Sequence, residues 1–119
     1  MDVRDILKDV AQIKGITAAA VVSLEGFVIE STSNGDAAVD LDFLGGVASS
    51  SATSAQSLID AFGKGKMNHM MIEFDEGPVL MSTLGDFMLL TTLESAQDLG
   101  RVRFQLKKFL PQLSSALQA

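Results

Sequence analysis

The chain predicts a single α/β (α+β) domain in which a five-stranded antiparallel sheet is flanked by helices on both faces, in the order α-β-β-α-β-β-β-α. Three observations predict it. Apolar residues recur at three- and four-residue steps in three separate segments, as amphipathic helices require. Between them lie short apolar or β-branched runs divided by Gly, Asp and Pro turn chemistry. With 119 residues, 47% of them hydrophobic, the chain holds one core and is too short for two.

Taken in order, Asp2 caps a first helix carried by Val3, Ile6, Leu7, Val10 and Ile13 and closed by Lys14 and Gly15. Residues 16–23 are small or apolar at both alternations, the mark of a strand covered on both faces. Ser23-Leu24-Glu25-Gly26 supplies a turn and Phe27-Val28-Ile29 returns as a second strand. Residues 31–40 read as a polar loop ending in a helix cap at or near Asp40. Leu41, Leu44, Ala48, Ala52, Ala55, Leu58, Ile59 and Phe62 then trace the sheet-facing stripe of a long second helix, stopped by Gly63 and Gly65. Strands are expected over 67–74, 79–84 and 87–93, joined by Asp75-Glu76-Gly77-Pro78 and Gly85-Asp86. Ser95, with Asp98 three residues on, opens a last helix carried by Leu99, Val102, Leu106, Phe109, Leu110, Leu113 and Leu117, in which Pro111 predicts a kink or a break.

Fifteen acidic residues against nine basic ones give a net charge of −6, which repels a phosphate backbone and an anionic lipid surface, so neither nucleic acid nor membrane is expected as a partner. No Lys or Arg occurs between Gly15 and Gly63, where Glu25, Glu30, Asp36, Asp40, Asp42 and Asp60 fall. Cysteine is absent, which excludes disulfides and thiolate metal sites. The N-terminus is acidic and no apolar leader follows, which predicts a cytoplasmic protein. The uncharged stretch 43–59 carries six hydroxyl residues, Gln56 and two glycines, too polar to span a bilayer.

That stretch is also the most informative, because a surface helix ordinarily shows a charged face and this one has none. Opposite its sheet-facing stripe lie Gly46, Ser49, Ser50, Thr53, Ser54 and Ser57, small residues that let a second helix approach closely. A solvated Ser-rich face is the plainer alternative, but Gly and Ser are poor helix formers that a monomer gains little by keeping. The strand beginning at Met67 has no proline and few charges up to Ile72, so its edge needs protection or a partner. His69, the sole histidine, has neither Cys nor an acidic pair beside it and reads as an interface or surface residue, not as a ligand or base. Gly63-Lys64-Gly65-Lys66 fails as a phosphate loop: the first required Gly falls at Asp60, Met67 follows where Ser or Thr is needed, and the glycines follow a helix. No catalytic set, metal site or cofactor motif is recognisable, so the chain is expected not to be an enzyme. Arg101, Arg103, Lys107 and Lys108 give the last helix a basic side, either a solvated face or a docking surface for an acidic partner, with Arg101 and Lys108 as the residues to test.

Ser23-Leu24-Glu25-Gly26-Phe27-Val28-Ile29, the helix around Gly45-Gly46-Val47-Ala48, and Asp98-Leu99-Gly100-Arg101-Val102-Arg103 together resemble the Roadblock/LC7 family, more closely its bacterial branch of gliding-protein-B-like regulators of Ras-like GTPases. The resemblance covers nearly the whole chain and implies a profilin- or longin-like sandwich. It further implies a homodimer in which the third strands pair edge to edge, with Met67, His69 and Met71 at the junction, while the second helices lie side by side. The function it implies is regulation of a small Ras-like GTPase, by ordering the partner's switch loops without an arginine finger. A scaffold subunit, like the family's dynein light chains, is the alternative, and a small-molecule sensor a further one.

Overall fold

Asp2 accepts the Asp5 N–H at 2.9 Å, satisfying one of the donors that a helix start leaves open, and α1 (Val3–Ala11) begins there. The same bond holds the Asp2 carboxyl below its ordinary range. The computed structural model of the chain describes residues 2–33 and 41–118, so the expected cap near Asp40 lies outside the described residues. The elements that follow are β1 (Ile16–Ser23), β2 (Val28–Ser33), α2 (Leu41–Phe62), β3 (His69–Ile72), β4 (Val79–Leu84), β5 (Phe87–Leu93), a 3-10 turn (Ala96–Asp98) and α3 (Leu99–Gln118). The order is the expected one.

The five strands form one antiparallel sheet in the order β2-β1-β5-β4-β3, which leaves β2 and β3 at its edges. Strand alternation divides the core in two. Ala19 and Val21 of β1, Leu89 and Leu93 of β5, and Leu80 and Leu84 of β4 face α1 and α3, where Leu7, Val10, Val102, Leu106 and Leu113 close over them. Ala20 and Val22, Met88 and Leu90, and Met81 face the other way, against Ala48 and Ala52 of α2 and against Met67. Each fully buried Leu or Val contributes roughly 1.5–3 kcal/mol relative to exposure. Thr91 is fully buried, and its hydroxyl donates to the Leu80 carbonyl at 3.3 Å.

Five expectations need correction. First, α1 ends at Ala11, and residues 12–15 form turns in place of a last helical turn. Second, Ser31, Thr32 and Ser33 are strand, not loop: they pair with Ala20, Ala19 and Ala18 of β1. Third, β3 is shorter than 67–74. Ahead of it the Asn68 carbonyl still accepts the Thr83 N–H of β4, but the Met67 carbonyl takes the Thr83 hydroxyl in place of a backbone donor; beyond it the Gly77 N–H turns back to the Phe74 carbonyl. Fourth, Leu58 and Phe62 stand exposed, although helical spacing put them on the sheet-facing stripe of α2. Fifth, of the kink or break expected at Pro111, the break does not occur: α3 continues through it. The Gln112 side-chain amide donates to the Lys108 carbonyl at 3.2 Å in that turn, and buried Phe109 and Leu113 on either side anchor the helix to the core.

Candidate functional site

The outward side of α2 and the β3 edge are two of the surfaces that the packing of one chain leaves open. Gly45 decides how α2 sits. A Cβ there would fall inside contact distance of the Gly26 carbonyl oxygen, so only glycine lets the helix touch the β1–β2 turn. Gly26 itself holds φ at 102°, a region that favours glycine. Ser49 locks the same junction by donating to the Leu24 carbonyl. Gly46, one position on, has nothing within 4 Å of a built Cβ and looks outward.

The hydroxyl stripe on α2 is less polar than its composition suggests. Thr53 donates to the Ser49 carbonyl at 3.0 Å and Ser57 to the Thr53 carbonyl at 3.1 Å, each closing on its own helix one turn back. Their donors are spent locally, so covering them leaves no unsatisfied proton. Ser50 and Ser54 lie exposed beside them. Around this small-residue centre stand large apolar side chains in water: Phe43 and Val47 towards one end, Leu58 and Phe62, 63% and 68% exposed, towards the other. Sequence reasoning took Leu58 and Phe62 for core and did not single out Phe43 or Val47. The absence of any charge over 43–59 was the signal that pointed to them.

The return from α2 to β3 is held by Gln56, another residue that sequence reasoning passed over. Its Oε1 accepts the Met67 N–H at 2.9 Å, and its Nε2 donates to the Gly65 carbonyl at 3.1 Å and to Asp60 Oδ1 at 2.8 Å. An open groove of about 880 Å³ runs beside it, between Thr53, Ser57 and Asp60 of α2 and the Lys66–Asn68 and Gly85–Asp86 segments.

On β3 the three expected junction residues separate. Met67 precedes the strand and is buried among Ala20, Met81 and Met88 of its own subunit, so its side chain belongs to the core. His69 and Met71 are exposed, and their pairing with Ser82 and Leu80 puts them on the α3 side of the sheet. Met70 and Ile72 point to the α2 side, Ile72 about half exposed. His69 Nδ1 lies 3.0 Å from the Ser82 hydroxyl, while partial burial, and secondarily the Arg103 guanidinium, push its pKa below the ordinary histidine value.

The two expected docking cations are engaged within the chain. Arg101 donates to Asp98 Oδ1 at 2.7 Å and to the Lys14 carbonyl at 2.9 Å, tying the start of α3 to the loop after α1. Lys108 Nζ sits 5.0 Å from the centroid of the Phe109 ring. Among the described residues, no group of three or more His, Cys, Asp or Glu is placed to hold a metal ion, and no helix is long and apolar enough to cross a membrane.

The family model for the Roadblock/LC7 domain matches residues 2–94. An uncharacterised protein of Methanocaldococcus jannaschii is 29% identical over 103 residues, covering 87% of this chain and 89% of its own. Among solved structures, Myxococcus xanthus MglB superposes with a TM-score of 0.89 at 16% identity, covering 98% of this chain and 94% of that one. A Roadblock/LC7 domain from Streptomyces avermitilis superposes with a TM-score of 0.86 at 19% identity over the full length of both.

Proposed function

The chain belongs to the Roadblock/LC7 family, and from that premise we propose that it works as a cytoplasmic homodimer that regulates a small Ras-like GTPase. The observation that carries the reading is the outer side of α2, without charge over residues 43–59, small at its centre and with exposed apolar side chains towards its ends. A twofold axis crossing α2 between residues 52 and 53 would set Val47 against Leu58 of the partner subunit and Phe43 against Phe62 of the partner subunit. Ser50 and Ser54 would then meet where the helices come closest, at an interaxial distance of roughly 8 Å. The β3 edges, free of proline, would join by strand pairing into one sheet across both subunits.

Regulation would follow from positioning. The segment from Gly15 to Gly63 has no Lys or Arg, so this half of the protein cannot insert an arginine into the active site of a partner. Faster hydrolysis would come from holding the switch loops of the GTPase in their reactive arrangement. The resemblance to regulators of this kind and the likeness of the fold to MglB support the reading.

The test is single-turnover GTP hydrolysis by a Ras-like GTPase that co-purifies with the chain, with and without the dimer. Acceleration that is lost with Ser50→Arg is the expected result. Stable binding with an unchanged rate would replace regulation by the scaffold reading.

A further inference from the structure

We propose that each protomer carries a second docking surface, on the side of the sheet away from α2, where the outer flank of α3 overlooks β3, and that it takes an acidic polypeptide segment bearing apolar side chains. Charge on the chain is unevenly placed. Four of the nine cations, Arg101, Arg103, Lys107 and Lys108, lie on α3, and residues 99–118 contain no Asp or Glu, in a protein of net charge −6. Arg101 is tied into the chain by two hydrogen bonds, and Lys108 lies over the buried ring of Phe109; Lys107 also lies over a ring, but that ring, Phe104, is itself exposed, so Arg103 and Lys107 are the cations that meet a ligand together with it.

Between them in sequence stands Phe104, 65% exposed, with the Lys107 Nζ 5.9 Å from its ring centroid. An aromatic ring left in water beside two cations suits a ligand that brings both carboxylates and apolar groups. The neighbouring edge strand offers Met71 and His69 on the same side of the sheet, and Arg103 is close enough to His69 to be felt electrostatically. Met71 is adaptable and apolar, suited to varied side chains.

α1, which shares this side of the sheet, presents Arg4 and Lys8 together with Asp5 and Asp9, so the cationic excess is confined to α3. Such a localised strip favours a short acidic segment over an extended anionic surface. With a screening length of about 8 Å at physiological salt, a segment senses the strip alone, whereas a membrane also meets the surrounding acids. The surface rests on the dimer reading in one respect: pairing of the β3 edges would bring two such flanks to either side of the twofold axis.

The experiment is fluorescence anisotropy with a dye-labelled peptide of alternating glutamate and leucine, and a lysine–leucine peptide as control, with light-scattering mass measured on the same samples. The expected result is binding of the acidic peptide alone. Arg103→Glu combined with Lys107→Glu should weaken it by about tenfold or more and Phe104→Ser by about fivefold, with the mass unchanged. No binding, equal binding of the two peptides, or indifference to the double reversal would overturn the proposal. So would binding of phosphatidylserine vesicles in preference to the acidic peptide. A dimer that fails to bind peptide removes this surface alone; a monomer that binds it removes only the dimer reading.

Discussion

Replacing Gly45 by alanine tests the packing of α2 directly. On helix propensity alone the change stabilises, because alanine is favoured over glycine in a helix interior by about 0.5–1 kcal/mol. The tertiary structure opposes it. The new methyl group would overlap the Gly26 carbonyl oxygen, lie 3.1 Å from the carbonyl carbon and touch Val28 Cγ2 at 3.4 Å. Two of these atoms are backbone of a turn fixed by the Ser23–Phe27 and Gly26–Ser23 hydrogen bonds, so the helix must give way by about 1 Å. That retreat loosens Ala48 and Ala52 from Val22 and Met88, an overpacking cost of about 1–3 kcal/mol. The net expectation is destabilisation by about 1–2 kcal/mol in urea unfolding. Gly46→Ala is the internal control. Nothing lies within 4 Å of its Cβ, so the isolated subunit should gain the propensity term, while self-association weakens because the methyl group stands on the outer face. Destabilisation of the subunit by both substitutions, or by neither, would refute the assignment of inner and outer sides.

Three further outcomes follow from the same contacts. Gln56→Ala leaves the half-buried Met67 N–H without its acceptor, and should cost about 1–3 kcal/mol and speed hydrogen exchange at Met67. Leu106→Ala empties a fully buried site between the sheet and α1, with an expected loss of about 2–5 kcal/mol in denaturant titration. His69 has a folded pKa below its unfolded value, so the unfolded chain binds more protons between the two. Stability should therefore be whole above about pH 6.5, fall as the pH drops through the folded pKa, and lose this dependence in His69→Gln, as followed by melting temperature.

Much of the fold was legible because it is written in local chemistry. Asp2 announces α1, Gly77-Pro78 and Gly85-Asp86 mark the hairpins, and the double apolar alternation of β1 foretold a strand covered on both sides. The misreadings share a cause: the deciding partner is distant in sequence. Ser31–Ser33 look like loop residues until Ala18–Ala20 pair with them. Leu58 and Phe62 lie near the core stripe of α2 by spacing, and only the finished packing shows that they stay uncovered. Arg101 is a surface cation, as read, but its second acceptor, the Lys14 carbonyl, is 87 residues away, so its tie to the loop after α1 was not visible. Of the candidate surface, the missing charge over residues 43–59 was visible at once. The spending of Thr53 and Ser57 hydroxyls on their own helix, which makes that surface fit for dry contact, is a matter of rotamers that composition does not carry.

The central claim is that a second copy of the chain covers the outer side of α2. Its most direct test is the mass in solution, by light scattering, of the parent chain and of Ser50→Arg at micromolar concentration. The account predicts twice the 12.6 kDa subunit for the parent and a single subunit for the variant. A parent protein that scatters as one subunit, or a variant that keeps the parent mass, would contradict it.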